Sequence, residues 1–245
     1  MAFIFEHSCL AAKSELDIFS NLPTNACCDE GMTIEHLPST ALDNHSPIKV
    51  LVSGDSNYYI DLASSYLYTE VKITKADGTD IDNDAAVGPI NLLGHSLFQQ
   101  VDMHLNDVLV TDASNLYHYR SLLESLLSYG SEAKKSQLTM ALYYKDTPGH
   151  MNAIDNSNTG LQARKMFTNG GNVVPLIGRI HSDMFFQNRY LLNGVDIRLK
   201  LLRNPDSLTL MAADGSNFKL KIVNVSFFVR KVKINSGIYL KHIEK

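Results

Sequence analysis

Alternation of apolar and polar residues in several short segments predicts β-strands. The clearest segment is 65–74, where one face carries Leu67, Thr69, Val71 and Ile73. Similar segments span 48–52, 101–105, 108–110, 173–180, 195–202 and 218–229. In the last of these, the apolar positions change phase by one residue between Ile222 and Val225, which predicts a β-bulge. Asn106 and Asp107 tolerate the positive φ of a tight turn, so they predict a hairpin between two of these strands.

A helical period interrupts the strands around residues 114–144. Spacings of three and four residues separate Leu116, Tyr119, Leu122, Leu123, Leu126 and Leu127, and Gly130 follows as a stop signal. A second helix is predicted to begin at Ser131, and the Asn- and Gly-rich stretch 149–172 is predicted to be a long loop. Strands and helices do not alternate regularly, which disfavours a parallel α/β sheet. The pattern predicts an all-β fold, an antiparallel jelly-roll sandwich with this helical insertion.

The same pattern divides the chain into three parts. Residues 1–47 lack clear strand alternation and contain three prolines, so we expect an N-terminal arm, with a disordered tail as the alternative. Residues 48–234 are the predicted jelly-roll domain. Residues 235–245 are expected to be a C-terminal tail or a linker.

The charges are unevenly distributed along the sequence. The net charge is −4, which argues against general nucleic-acid binding by the whole molecule. Residues 1–163 hold 8 Lys and Arg against 21 Asp and Glu, whereas residues 164–245 hold 14 against 5. The balances of −13 and +9 suggest either an acidic and a basic face or a split whose charges interleave after folding.

The cysteines and the N-terminus restrict the compartment. Three cysteines, of which Cys27 and Cys28 are adjacent, do not form a disulfide framework and suggest reduced thiols in an intracellular protein. No apolar run approaches the roughly 20 residues of a membrane helix. The first residues lack a basic region and make a poor signal peptide.

No motif amounts to an active site, so we expect a protein that is not an enzyme. The pair His181 and Asp183 could share a metal on a strand, but a histidine beside a carboxylate explains it more simply. Four carboxylates between Asp77 and Asp84 lack the order of a calcium loop and suggest a solvated loop. Basic residues beside aromatics at 227–233 fit weak nucleic-acid binding or a protected strand edge equally well. No catalytic, cofactor-binding or metal residue is assigned, and no cofactor is expected.

A series of short motifs carries a family resemblance over residues 57–234. In order along the chain they are YYIDL (58–62), LYTEVKITKADG (67–78), VGPIN (87–91), HSLF (95–98), VD (101–102), LND (105–107), YR (119–120), LLSYG (126–130), KKSQL (134–138), GRIHSD (178–183), FFQ (185–187), RYLLNGV (189–195) and FVRKV (228–232). The series resembles the hexon-like major capsid proteins of Polinton/Maverick elements and adintoviruses. That resemblance implies a double jelly roll of the viral capsid type, which forms trimeric capsomers around double-stranded DNA.

The resemblance implies a structural shell protein, and the length suits only one jelly roll with insertions. The chain would be the N-terminal jelly-roll portion or a domesticated single-domain derivative, and residues 235–245 would lead toward the missing second roll. The expected partners are further copies of the chain, as a trimer or higher homo-oligomer, other capsid proteins such as a penton, and packaged DNA through non-specific contact; no membrane partner is expected. The expected localisation is the virion capsid and, in the cell, the cytoplasm or nucleus. The alternative is a jelly-roll binding module that recognises a protein, glycan or nucleic-acid ligand through its loops.

Overall fold

A computed structural model describes residues 27–43, 46–213 and 215–243. Its strands are β1 (Cys28–His36), β2 (Ile48–Val52), β3 (Tyr59–Lys75), β4 (Val87–Pro89), β5 (Phe98–Leu105), β6 (Val108–Leu109), β7 (Val174–Gly178), β8 (Ile197–Arg203), β9 (Leu210–Ala212) and β10 (Phe218–Ile234). Its helices are α1 (Leu93–Ser96), α2 (Tyr117–Ser128), α3 (Ser131–Lys135), α4 (Thr159–Thr168), α5 (Asp206–Thr209) and α6 (Ser236–Ile243). Short 3-10 helices lie at Gln137–Ala141, Asn169–Gly171 and Asp183–Phe186.

Eight of these strands form two antiparallel four-stranded sheets. The orders are β1-β10-β3-β7 and β2-β8-β5-β6. Leaving aside the small β4-β9 pair, the strands numbered in chain order are arranged 1-8-3-6 in one sheet and 2-7-4-5 in the other. Strands distant in sequence therefore lie side by side, as the two Greek keys of a jelly roll require. The predicted jelly-roll sandwich is confirmed.

The core lies between the sheets and is built by the alternation along each strand. Inward side chains of β3 and β10, including Val71, Ile73, Phe227 and Val229, are fully buried. They belong to the same apolar cluster as Val50 of β2 and Leu199 and Leu201 of β8. The rings of Phe185 and Phe227 lie 6.1 Å apart in an edge-to-face arrangement.

Several local predictions are confirmed. Strand β2 has the predicted bounds, and the register between β10 and β3 shifts at Ile222/Asn224, where the phase change predicted a bulge. Asn106 and Asp107 have φ of 46° and 68° in the β5-β6 turn. Helices α2 and α3 and the following 3-10 helix fill the predicted insertion around 114–144.

Two elements contradict the sequence interpretation. Segment 28–36 was expected to belong to an arm without strands, but it forms β1, which pairs along β10 from Cys28↔Ile234 to His36↔Phe227. This segment forms a strand because it pairs with β10, although its own apolar and polar residues alternate only weakly. Residues 1–26 of the predicted arm lie outside the described residues. Helix α4 lies within the stretch predicted to be a loop, and Asn158 caps it by accepting a hydrogen bond from Leu161 N.

The chain continues beyond β10 as α6 (Ser236–Ile243), in the stretch expected to be a tail or linker. The division of the chain into an arm, one domain and a tail remains a prediction. Within the part of the chain that the structure describes, no helix is both long enough and apolar enough to span a membrane.

Candidate functional site

The connection between β6 and β7 carries most of the helical structure and is the candidate functional region. It contains α2, α3 and α4, and α2 packs on α1 and β5. A smaller apolar cluster of Leu92, Leu138, Ala141 and Tyr143 fixes this connection to the sandwich. Helix α4, at the other end of the connection, packs on β4.

Helix α2 presents its apolar face to solvent. Its buried positions are Tyr117, Ser121 and Ser125, which share one face at a spacing of four residues. The opposite face carries large exposed side chains: Leu116 (57%), Tyr119 (56%), Leu123 (57%), Leu126 (42%) and Leu127 (85%). We call these five residues the α2 stripe. The spacing predicted the helix, and the structure shows that the α2 stripe faces outward.

A polar network under α2 holds the helix to the segment after β7. The Tyr117 hydroxyl accepts a hydrogen bond of 3.2 Å from the His181 backbone N–H and lies 3.3 Å from His95 Nδ1. His181 Nδ1 lies 2.7 Å from Glu124 Oε2. Arg120 Nε donates to the other oxygen of Glu124 at 2.7 Å, and the Arg120 guanidinium also pairs with Asp183. These hydrogen bonds fix one face of α2 along its first two turns.

Burial sets the protonation of the network. Desolvation, with a smaller contribution from the neighbouring His181, lowers the pKa of His95 to about 3. Desolvation also lowers the pKa of His181, although Glu124 opposes this effect. Burial raises the pKa of the Tyr117 hydroxyl. Efficient general acid–base catalysis needs a pKa near the working pH, so this arrangement is better suited to positioning α2 than to proton transfer.

The residues considered for metal binding have other partners. His181 was expected on a strand, but it follows the end of β7; it bonds to Glu124, whereas Asp183 bonds to Arg120. In the acidic loop, Lys72 pairs with Asp80 at 2.6 Å and Lys75 with Asp82 at 3.0 Å. No group of three or more His, Cys, Asp or Glu side chains among the described residues is placed to hold a metal ion.

The charged segments of the sequence interleave in the fold. Arg164, Arg198 and Lys200, from the basic part, pair with Asp146, Asp107 and Asp102 of the acidic part. The basic run around Lys231 lies on β10, an inner strand between β1 and β3. A protected strand edge is therefore the wrong explanation for this run, because the unpredicted β1 covers that side of β10.

The sequence alone did not indicate that His95, Tyr117 and Glu124 would meet. A signal was present for four members of the network, since His95, Arg120, His181 and Asp183 all lie within motifs that carry the family resemblance. The first residues of the two most distant of these motifs, HSLF (95–98) and GRIHSD (178–183), are 83 positions apart. The fold brings them together at α2.

Sequence comparison finds one curated relative. No family model matches the sequence. The chain is 26% identical over 209 residues to the uncharacterised protein F54H12.2 of Caenorhabditis elegans, and the match covers 81% of this chain and 48% of that protein.

Structural comparison finds proteins of viral particles. A chain of the Sputnik virophage matches 93% of this chain with a TM-score of 0.54 and 12% identity, over 53% of its own length. A chain of the PBCV-1 virus capsid matches 91% (TM-score 0.52, 10% identity, 46% of its length), and the Faustovirus major capsid protein matches 98% (TM-score 0.53, 8% identity, 59% of its length).

All of these matches cover a similar share of the matched protein's length. This chain spans about half the length of the curated relative and of each of the three viral structures. At such identities the likeness to the solved structures concerns the fold. The two antiparallel sheets with their short helices therefore resemble a single jelly roll of viral major capsid proteins.

Proposed function

We propose that this chain is a structural capsid protein that self-assembles into capsomers. The observation that carries the proposal is the jelly-roll sandwich, whose fold matches structures from viral particles over more than nine tenths of the chain. The exposed α2 stripe adds support, because a large exposed apolar patch on a soluble protein commonly marks an interaction surface. The motif series favours the capsid proteins of Polinton-type elements and adintoviruses, or a domesticated single-roll descendant of them.

The partners follow from that role. The main partner is the chain itself, as a trimer or higher oligomer, and a penton-type capsid protein would adjoin the shell. Packaged double-stranded DNA would meet the shell through non-specific contacts. The site of action would be the virion capsid, with the free chain in the cytoplasm or nucleus.

A cleft beside α2 favours a second candidate function, a loop-based binding module. It has a volume of about 530 Å³ and is lined by Leu126, Tyr143, Tyr144 and three lysines, Lys134, Lys135 and Lys145. Aromatic walls and amino groups suit an anionic ligand that has an apolar part. Saturable thermal stabilisation of a monomeric protein by such a ligand would support this function.

The oligomeric state tests the primary proposal. The purified chain is examined by size-exclusion chromatography with light scattering from about 1 to 100 μM, and the peaks are imaged by negative-stain electron microscopy. Trimers, larger multiples or closed shells are expected. A monomer over the whole range, with no particles in the images, would contradict the capsid role and leave the binding module as the better explanation.

A further inference from the structure

The α2 stripe is the largest group of exposed, large apolar side chains on one element of the described residues. It combines four leucines and a tyrosine within 12 positions of the sequence. A helix that only covers its own core places such residues inward and polar residues outward. Helix α2 turns Tyr117 and Leu122 inward, but it also buries Ser121 and Ser125 fully while Leu123 and Leu127 are exposed. A partner that covers the α2 stripe explains why its largest apolar group faces outward.

The spacing of the α2 stripe fits another helix. Leu116, Tyr119, Leu123 and Leu126 are separated by three, four and three residues, which is the spacing of a helix–helix seam. We propose that α2 packs against α2 of a second copy of this chain, antiparallel about a two-fold axis. This inference rests on the proposed self-association and specifies the surface that makes the contact.

The charges of α2 are compatible with a second copy. None of the five side chains of the α2 stripe is charged, so two copies can approach without desolvating like charges. The charged residues of the helix, Arg120 and Glu124, lie one turn apart and have opposite signs. Both are already paired within the chain, Arg120 with Glu124 and Asp183, and Glu124 with His181, so neither brings an uncompensated charge to the contact.

The area of the α2 stripe is sufficient for a specific contact. Taking about 150 Å² for each side chain, the lower end of the range for aromatic residues, the exposed fractions together present roughly 450 Å². That lies within the range of the largest apolar patches of monomeric proteins, about 300–600 Å². It would also supply most of the roughly 800 Å² that each partner buries in a standard interface.

The first test is the variant Leu123→Glu, which places a carboxylate at the middle of the α2 stripe. Leu192→Glu is the matched control, because Leu192 is 59% exposed and lies outside the α2 stripe. Light scattering should show that Leu123→Glu weakens pairing of the copies at least 100-fold, with an unchanged far-ultraviolet circular dichroism spectrum, while Leu192→Glu pairs like the unmodified chain. Equal pairing of all three proteins would overturn the inference.

The second test distinguishes a two-fold contact from a head-to-tail contact. At a two-fold interface, a residue near the axis meets its own copy. Leu123 is the member of the α2 stripe nearest its midpoint, so Leu123→Cys should form a disulfide-linked dimer in a background where Cys9, Cys27 and Cys28 are replaced by serine. Leu192→Cys in the same background should not. Absence of the Leu123→Cys cross-link in an associated sample would overturn the inference.

The two tests separate this inference from the capsid proposal. Larger assemblies that persist in Leu123→Glu and lack the cross-link would leave the capsid role intact and remove the α2 contact. A cross-linked dimer that never forms larger assemblies up to 100 μM would establish the α2 contact and contradict capsomer formation.

Discussion

Replacing Arg164 of α4 with methionine should strongly destabilise the protein. The Arg164 side chain is fully buried and donates three hydrogen bonds that fix α4 to the sandwich. Its acceptors are Pro89 O at 2.8 Å, Tyr144 O at 2.5 Å and Asp146 Oδ1 at 2.7 Å. Methionine retains much of the aliphatic length but has no donor, so all three acceptors lose their partner.

The magnitude follows from those three bonds. Each buried acceptor left without a donor costs about 1–3 kcal/mol. Three such acceptors would together cost about 3–9 kcal/mol. The Asp146 side chain is 17% exposed and can recover some hydration, so we expect a cost in the lower part of this range. We expect a loss of about 4 kcal/mol in the free energy of unfolding, as for other buried ion pairs with one partner removed. For a chain of this length, the corresponding decrease in melting temperature is about 8–16 °C.

Urea unfolding at one fixed protein concentration measures the effect. The sequence contains no tryptophan, so far-ultraviolet circular dichroism and tyrosine fluorescence are the suitable probes. Asp146→Asn is the matched comparison, because it keeps an acceptor for Arg164 but removes the charge beside the buried guanidinium, and it should cost about 1.5–3 kcal/mol, less than Arg164→Met. A loss below about 1 kcal/mol in Arg164→Met would refute the reasoning, since it would mean that Arg164 does not hold α4 in place.

Three further predictions concern other parts of the fold. His95 has a pKa near 6.5 when unfolded and about 3 when folded, so its contribution to stability is complete above pH 6.5 and decreases as the pH falls toward 3. In urea titrations, the unmodified protein should therefore lose about 2 kcal/mol of unfolding free energy by pH 5 relative to His95→Gln. Parallel pH profiles of the two proteins would contradict this. Asp107→Gly should raise the free energy of unfolding by about 0.5 kcal/mol relative to Asp107→Ala, since both lose the exposed ion pair with Arg198 but only glycine adopts φ of 68° without strain. A lower stability of the glycine variant would argue against that turn geometry. Gly160→Ala should lower the free energy of unfolding by about 2 kcal/mol, because a Cβ there would lie 2.4 Å from the Lys145 carbonyl oxygen. Gly130→Ala is the control, since its Cβ would meet nothing within 4 Å, and it should change stability by less than about 0.5 kcal/mol. Equal effects of the two substitutions would contradict the close packing of α4.

Elements whose own residues show a strong periodicity of apolar and polar positions were predictable. The alternation in β2 and β3 and the phase change in β10 depend only on which side chains face the core, and the structure confirms them. The β5-β6 turn was predictable because Asn106 and Asp107 tolerate positive φ. In each case the physical cause lies within a few consecutive residues.

Elements that depend on a distant partner were not predictable. Strand β1 has a weak pattern and is ordered by its long pairing with β10, about 200 residues away along the chain. Helix α4 has an arginine at the centre of its buried face, which no hydrophobic pattern would place inside. Arg164 is tolerated there because β4 and residues 144–146 supply its acceptors.

For helix α2, the sequence predicts one property and the tertiary structure decides another. The sequence by itself determined that α2 is amphipathic, because the spacing of its leucines depends only on helix geometry. Which face is buried was decided by the tertiary structure, in which Tyr117 and Glu124 of α2 bond to the His181 segment and Tyr117 lies beside His95, while Ser121 and Ser125 are fully buried. Periodicity shows that apolar side chains share a face, but whether that face meets the core of its own chain or another surface depends on the elements packed around it.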